Sequence, residues 1–323
     1  MDAFARPNVF CSRCLGFEAC RWNGAEIPDP FVDLLTPYVT FTTTCPEKNI
    51  GLGVPRDPIR ITRGEDSPRL RQLNTGVDVT DAMQEHCDEY LGSLREMDGF
   101  ILKDRSPSCG LHDVKVYKDL QKGCPVRKGD GFFGGRIRGY FSFAAIETEG
   151  RLKNFSIREH FLTKLFCLAR FRETKKEGTV SALVQFHAEN KLLLMAYNQQ
   201  EMKRMGRITA NESKTSPQSL FDQYEERLQL AFRKPATYKA NINVLMHAFG
   251  YFSDQLTSRE KRFFLNSLEE YRREQVPLSV PLNLTESYIN RFETDYLAQQ
   301  TFFHPFPKEL MTITDSGKGR SLK

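Results

Sequence analysis

The first half of the chain alternates short apolar runs with a segment of helical period. Residues 8–10, 38–44 and 99–103 are apolar or β-branched runs, each next to a Pro, Gly or Cys, which is typical of strands. Thr80 caps a helix whose apolar residues, from Met83 on, recur at i, i+4, i+7, i+8 and i+11. This alternation predicts an α/β fold, a Rossmann-like layered parallel sheet with helices.

The second half has a helical period throughout. Ser156 caps its first helix, and Gly206 ends the second. The later helices are expected near residues 180–206, 218–233, 239–252, 258–273 and 284–300. Because no strand pattern intervenes, an all-α domain is expected to follow the α/β domain.

Domain boundaries follow from this change of period. We expect an α/β domain over residues 1–155, a helical domain over residues 156–316 and a frayed tail over residues 317–323. Residues 129–139 are rich in glycine and are interpreted as a loop.

The composition is that of an ordinary globular protein, with 40% hydrophobic and 27% charged residues. No apolar run approaches the roughly 20 residues that a membrane span needs. Residues 1–7 lack the basic and then apolar pattern of a secretory signal. A cytoplasmic protein without a membrane segment is therefore expected.

The net charge of +5 is unevenly distributed. Residues 1–150 hold 19 basic against 22 acidic side chains, whereas residues 151–323 hold 27 against 19. A basic second half favours an anionic partner such as RNA, although solvated helix faces would give the same count. The candidate RNA-binding residues are Arg170, Arg172, Lys175, Lys176, Lys203, Arg204, Arg207, Arg233 and Lys234.

Three cysteines follow three of the predicted strands. Cys14 follows residues 8–10, Cys45 follows residues 38–44, and Cys109 lies in the turn sequence D-R-S-P-S-C-G after residues 99–103. Ligands of open parallel sheets bind outside the carboxyl ends of the strands, so these thiols are expected to converge.

Three kinds of chemistry fit these cysteines. Thiolates on rigid turns suit an iron–sulfur cluster, and with only three ligands one iron of a [4Fe–4S] cluster stays open to a substrate. Cys11-x-x-Cys14 with Cys20 and Cys45 would instead form a structural zinc site. A redox dithiol at Cys11 and Cys14 is the third interpretation.

Two polar residues lie beside these cysteines. Glu47, two residues after Cys45, can act as a general acid or base, or it can be an exposed loop carboxylate. Ser106, three residues before Cys109, can contact a substrate, or it can only satisfy its own turn.

Taken together, these motifs resemble those of the thiouracil desulfidase family, formerly a domain of unknown function numbered 523. They are Cys14-Leu15-Gly16 with Arg21-Trp22-Asn23-Gly24, Cys45-Pro46-Glu47, and Ser106-Pro107-Ser108-Cys109-Gly110. The second half resembles domain of unknown function 1722 through L-V-Q-F-H at residues 183–187, N-V-L-M-H at 243–247 and V-P-L at 276–278. The fused arrangement resembles bacterial tRNA 4-thiouridine desulfidases.

The resemblance implies a [4Fe–4S] cluster on Cys14, Cys45 and Cys109, with Glu47 as the catalytic acid or base and Ser106 as a substrate contact. It also implies a non-redox reaction on thiolated tRNA in which the open iron takes the thiocarbonyl sulfur, water attacks the ring carbon, and uridine and sulfide are formed. Free thiouracil or thiouridine is the alternative substrate. A zinc-stabilised RNA-binding protein without catalysis is the alternative from another class.

Overall fold

The computed structural model describes residues 4–121, 123–212 and 214–312. Within them the chain forms two units, one that reaches Arg170 and includes Glu309–Thr312, and one from Phe171 to Lys308. The tail expected over residues 317–323 lies outside the described residues. None of the helices in the described ranges combines the length and apolar character needed to cross a membrane.

The elements are numbered in chain order. The strands are β1 (Asn8–Ser12), β2 (Thr40–Thr44), β3 (Ile59–Thr62), β4 (Arg69–Gln72), β5 (Gly99–Leu102), β6 (Val114–Tyr117), β7 (Arg127–Gly129) and β8 (Ala145–Thr148). The α-helices are α1 (Pro30–Leu35), α2 (Pro46–Asn49), α3 (Thr80–Ser93), α4 (Phe132–Tyr140), α5 (Phe155–Glu177), α6 (Val180–Ala210), α7 (Pro217–Ala231), α8 (Tyr238–Phe249), α9 (Ser258–Arg272), α10 (Ser279–Arg291) and α11 (Asp295–Ala298).

The first sheet is the parallel sheet that the sequence predicts. Its strands run in the order β2-β1-β5-β8, and each neighbouring pair is parallel. All four residues of β5 are buried, which explains its unbroken apolar sequence. The prediction of an α/β fold followed by a helical region is therefore confirmed.

A second sheet has the order β4-β3-β6-β7, with β3 and β6 parallel and the outer pairs antiparallel. The sequence does not predict this sheet, because its two outer strands are polar and lack the apolar pattern of a strand. Arg69, Arg71 and Arg127 occupy β4 and β7, so these strands lack an apolar run.

The interpretation of residues 129–139 as a loop is wrong, because α4 occupies most of this segment. The backbone N–H groups of Phe132 and Gly134 donate to the carbonyl oxygens of Pro107 and Ser108, at 3.0 Å each. A Cβ atom at Gly134 would lie 2.4 Å from the carbonyl oxygen of Cys109. Glycine is therefore required here for close packing of a helix against a turn.

The helices from α5 onward lie close to their predicted ranges, with two corrections at helix ends. Asn154, not Ser156, caps α5, because its Oδ1 accepts from the N–H of Ile157 at 3.1 Å. The last predicted helix, near residues 284–300, is divided into α10 and α11.

Helix α6 bends at Asn198 and not at Gly206. Asn198 has φ −159° and ψ 98°, and its Oδ1 accepts from the N–H groups of Gln200 and Glu201 at 3.1 Å each. His187 and Gly206 are 19 positions apart in α6, so in a straight helix they would be separated by about 28 Å. In the structure a Cβ at Gly206 would lie only 3.2 Å from Nε2 of His187. The two halves of α6 therefore fold back on each other, and Asn198 caps the second half.

Candidate active site

The three strand-end cysteines lie at one edge of the parallel sheet. Cys14 lies two residues after β1, Cys45 directly follows β2, and Cys109 lies in the turn after β5. Because β2, β1 and β5 are parallel neighbours, their carboxyl ends meet at this edge. Burial raises the pKa of Cys109, and the charges of Cys14 and Cys45 act in the same direction.

Hydrogen bonds hold Cys109 in its turn. Ser106 Oγ accepts from the backbone N–H groups of Cys109 at 3.1 Å and Ser108 at 3.3 Å, and Gly110 N–H donates to the Ser106 carbonyl at 2.9 Å. The Cys109 side chain is buried, and burial raises its pKa. Burial therefore disfavours the Cys109 thiolate, and coordination of this thiolate to a soft metal centre would offset that unfavourable effect.

Cys45 lies in a different environment, at the N-terminus of α2. The neighbouring Cys20 thiol lowers the pKa of Cys45, and Cys45 Sγ lies 3.8 Å from the Cys20 carbonyl oxygen. The N–H of Lys48 at the start of α2 acts in the same direction. For Cys14, burial and then the neighbouring Cys45 raise the pKa to about 11.

Glu47 is a buried carboxylate with fixed partners, so it is not an exposed loop residue. The Arg56 guanidinium donates to Glu47 Oε2 from Nη2 at 2.7 Å and from Nε at 2.9 Å. Ser108 Oγ donates to the other oxygen, Oε1, at 2.6 Å. Ser106 Oγ lies 2.9 Å from Ser108 Oγ, so Ser106, Ser108 and Glu47 form a continuous hydrogen-bonded chain.

The sequence did not single out Arg56 or Ser108 as site residues, and it named Cys20 only as a ligand of the alternative zinc site. Ser108 lies within the S-P-S-C-G motif and could have been noted from its place beside Cys109. No local pattern marks Arg56, because only the folded chain brings its guanidinium to Glu47 and to the Cys20 carbonyl.

Cys11 belongs to the strand itself and not to the edge. Its side chain is fully buried in β1, and burial raises its pKa well above the ordinary value. Cys87, which lies within α3, is equally buried in the core. Among the residues that the structure describes, no group of three or more His, Cys, Asp or Glu side chains is arranged to hold a metal ion.

The donor set at the edge nevertheless suits an iron–sulfur cluster. Cys14 and Cys45 are each partly accessible, Cys109 lies on a rigid turn, and all three influence one another electrostatically. Thiolates on turns that also present backbone N–H groups are the usual ligands of such clusters.

The candidate RNA-binding residues are of two kinds. Arg172 and Lys176 pair with Glu173, Lys175 pairs with Asp222 and Glu225, and Arg204 pairs with Glu201. In contrast, Lys203, Arg207, Arg233 and Lys234 are exposed and form no ion pair within the described ranges. Arg170 is half-buried in α5.

Comparison with known families assigns both halves of the chain. Residues 9–149 match the family described as 2-thiouracil desulfurase, and residues 191–307 match a family described as a protein of unknown function, DUF1722. The chain therefore belongs to the 2-thiouracil desulfurase family through its first half, and this membership indicates a desulfidase.

Two curated relatives match parts of the chain. An uncharacterized protein of Bacillus subtilis, YbbK, is 31% identical over 109 residues, which cover 32% of this chain and 72% of the relative. An uncharacterized protein of Escherichia coli, YbgA, is 29% identical over 158 residues, which cover 48% of this chain and 93% of the relative.

One solved structure is similar to part of the chain. It is described as the [4Fe–4S]-dependent thiouracil desulfidase TudS, is 24% identical in sequence, and has a TM-score of 0.37. The similarity covers 46% of this chain and 93% of that protein. A TM-score this low does not establish a common fold.

Proposed function

We propose that the chain is an iron–sulfur-dependent desulfidase that converts 4-thiouridine in tRNA to uridine. The observation that carries this proposal is the clamped carboxylate of Glu47, whose partners Arg56 and Ser108 lie 3.9 Å from the sulfurs of Cys45 and Cys109, in a chain of the 2-thiouracil desulfurase family. Residues 1–155 would perform catalysis, and residues 156–316 would bind the RNA.

The three cysteines would hold a [4Fe–4S] cluster with one iron lacking a protein ligand. When bound, the cluster would supply a thiophilic Lewis acid for the thiocarbonyl sulfur. The reaction is a hydrolysis without redox change, since a thiocarbonyl and water yield a carbonyl and hydrogen sulfide.

The side chains around the cluster would manage the protons of this hydrolysis. Glu47 Oε1 would accept a proton from the attacking water, because Oε2 is held by Arg56. The Ser108 hydroxyl donates a hydrogen bond to Oε1 and would keep this oxygen in the orientation needed for each turnover. Ser106, at the far end of the hydrogen-bonded chain, would contact the substrate.

The RNA would bind through phosphate contacts. Lys203, Arg207, Arg233 and Lys234 are the candidates that the structure leaves without an ion pair in the described residues, so they would neutralise phosphates at the least cost. The other candidates would first have to give up existing interactions before they could bind phosphate; they are Arg170, Arg172, Lys175, Lys176 and Arg204.

Free thiols and an iron–sulfur cluster also fit a reducing compartment such as the cytoplasm.

The first experiment is anaerobic purification followed by visible absorption and by iron and sulfide analysis. We expect a brown protein that loses its cluster in each of the variants Cys14→Ala, Cys45→Ala and Cys109→Ala. The exposed Cys124 provides the matched control, because Cys124→Ala should leave the iron content unchanged. A colourless protein that holds zinc would contradict the proposal and favour a non-catalytic RNA-binding protein.

The second experiment separates the two candidate substrates, since the family description names the free base 2-thiouracil. Turnover of thiolated tRNA is compared with turnover of free 4-thiouridine and 2-thiouracil. We expect a variant with Lys203, Arg207, Arg233 and Lys234 replaced by Glu to lose at least tenfold in kcat/KM for tRNA only. An equal kcat/KM for tRNA in variant and wild type would contradict RNA binding by these residues.

A further inference from the structure

Arg56 connects three segments of the active site. Its side chain is only 3% exposed, and Nη1 donates to the carbonyl oxygens of Cys20 at 2.9 Å and Gly53 at 3.0 Å. Nε and Nη2 both donate to Glu47 Oε2, and Nη2 also lies 3.9 Å from Cys45 Sγ. The guanidinium thus fixes Glu47 relative to the cysteine-bearing loops.

This geometry distinguishes the two oxygens of Glu47. A carboxylate has about four acceptor positions, and Arg56 fills the two on Oε2. Ser108 fills one on Oε1, and the other position there receives no hydrogen bond from the part of the chain that the structure describes. The open position on Oε1 is therefore the one available to a water molecule or a substrate.

We propose that Arg56 is a positioning residue that holds Glu47 by Oε2, so that Oε1 is the oxygen that meets the substrate. The inference rests on the proposed desulfidase function and adds a residue to its machinery. The guanidinium of arginine suits this task, because two of its N–H groups converge on Oε2 while Ser108 holds Oε1, and together these three donors fix the position and the rotation of the carboxylate. A lysine would keep the charge but only part of the geometry.

One test needs neither cluster nor activity. In cluster-free protein, Arg56→Met leaves the buried Glu47 carboxylate without its cation, so we expect the melting temperature to fall by about 5–10 °C. Arg56→Met combined with Glu47→Gln removes both charges and should recover at least half of that loss. Equal melting temperatures for the single and the double variant would overturn the pairing.

A second test uses the cluster-loaded enzyme and a free thiolated pyrimidine. We expect Arg56→Met to keep the wild-type iron content, to lower kcat about 100-fold and to change KM less than threefold. Arg56→Lys should regain at least tenfold of that loss in kcat. Arg60→Met is the matched control, because Arg60 also donates to backbone carbonyls but lies in the second sheet, and it should leave kcat unchanged.

The outcomes separate this inference from the proposed function. If Arg56→Met loses its iron, or if Arg56→Lys is as inactive as Arg56→Met, then Arg56 only supports the loops and the positioning role is wrong. If the loaded wild-type enzyme turns over no thiolated pyrimidine, the desulfidase function fails, while the melting temperatures still report on the pairing of Arg56 with Glu47.

Discussion

Ser108 Oγ donates to Glu47 Oε1 at 2.6 Å, although the two residues are 61 positions apart in the sequence. Hydrogen bonds to charged groups contribute about 1.5–3 kcal/mol. Ser108→Ala should therefore lower kcat at least tenfold while the iron content stays at the wild-type level, because the backbone of the turn keeps its own hydrogen bonds. Steady-state kinetics together with iron analysis would measure both quantities.

Ser106→Ala makes the informative comparison. Ser106 Oγ accepts from two backbone N–H groups of the Cys109 turn, so its removal should lower the iron content as well as kcat. A Ser108→Ala enzyme with normal kcat would contradict the role of the hydrogen-bonded chain.

The close packing of α4 against the Cys109 turn gives a second prediction. A Cβ at Gly134 would lie 2.4 Å from the Cys109 carbonyl oxygen and 2.6 Å from that of Gly110. Gly134→Ala should therefore displace the turn, lower the free energy of unfolding by about 1–3 kcal/mol and reduce the iron content.

Gly139 in the same helix is the control for this substitution. Its Cβ would meet no atom within 4 Å, so Gly139→Ala should be neutral or stabilising by up to about 1 kcal/mol. Denaturant unfolding and iron analysis of the two variants would check both expectations. Equal stability of the two variants would show that the turn tolerates a shift of α4.

The placement of the three cysteines at the ends of parallel strands follows from local signals in the sequence. Apolar runs before Cys14, Cys45 and Cys109 predict strands, and the Pro and Gly next to the last two predict turns at the strand ends. Because the carboxyl ends of parallel strands lie at the same edge of a sheet, the sequence alone is enough to predict that these three strand ends are neighbours.

The partners of Glu47 could not be predicted in this way. Arg56 and Ser108 reach Glu47 only after the sheet and the glycine-rich segment have folded, so no spacing in the sequence encodes their contacts. The error at α4 has a related cause. Glycine indicates a flexible loop when it is considered locally, whereas Gly134 is needed because a distant turn packs against the helix.

Asn198 provides a prediction for the second unit. Its Oδ1 is the acceptor for the N–H groups of Gln200 and Glu201 where α6 folds back. Loss of a helix cap costs about 1 kcal/mol, so Asn198→Ala should lower the free energy of unfolding by about that amount. Asn243, which is exposed within α8, is the control, since Asn243→Ala should not destabilise the protein. Denaturant unfolding would contradict the capping role if the two variants were equally stable.

The fold-back of α6 also buries His187, which predicts a dependence of stability on pH. His187 Nδ1 lies 3.0 Å from the Tyr224 hydroxyl, and burial, followed by the nearby Lys191, lowers the pKa of His187 to about 4. An unfolded chain would bind a proton at this residue near pH 6.5. Between these two values the unfolded state holds more protons, so the free energy of unfolding must fall as the pH falls.

Between pH 7 and pH 5 this one residue should remove about 2 kcal/mol of stability. We expect His187→Gln to lose correspondingly less stability over the same interval, in denaturant unfolding followed by circular dichroism of the helices. His247→Gln, at an exposed position of α8, should behave like the wild type. His160 is half-buried with a pKa lowered to about 4, and it contributes equally to all three proteins. The difference in pH dependence of the free energy of unfolding between wild type and His187→Gln therefore reports on His187 alone. Identical pH profiles for these two proteins would show that protonation of His187 does not destabilise the folded chain.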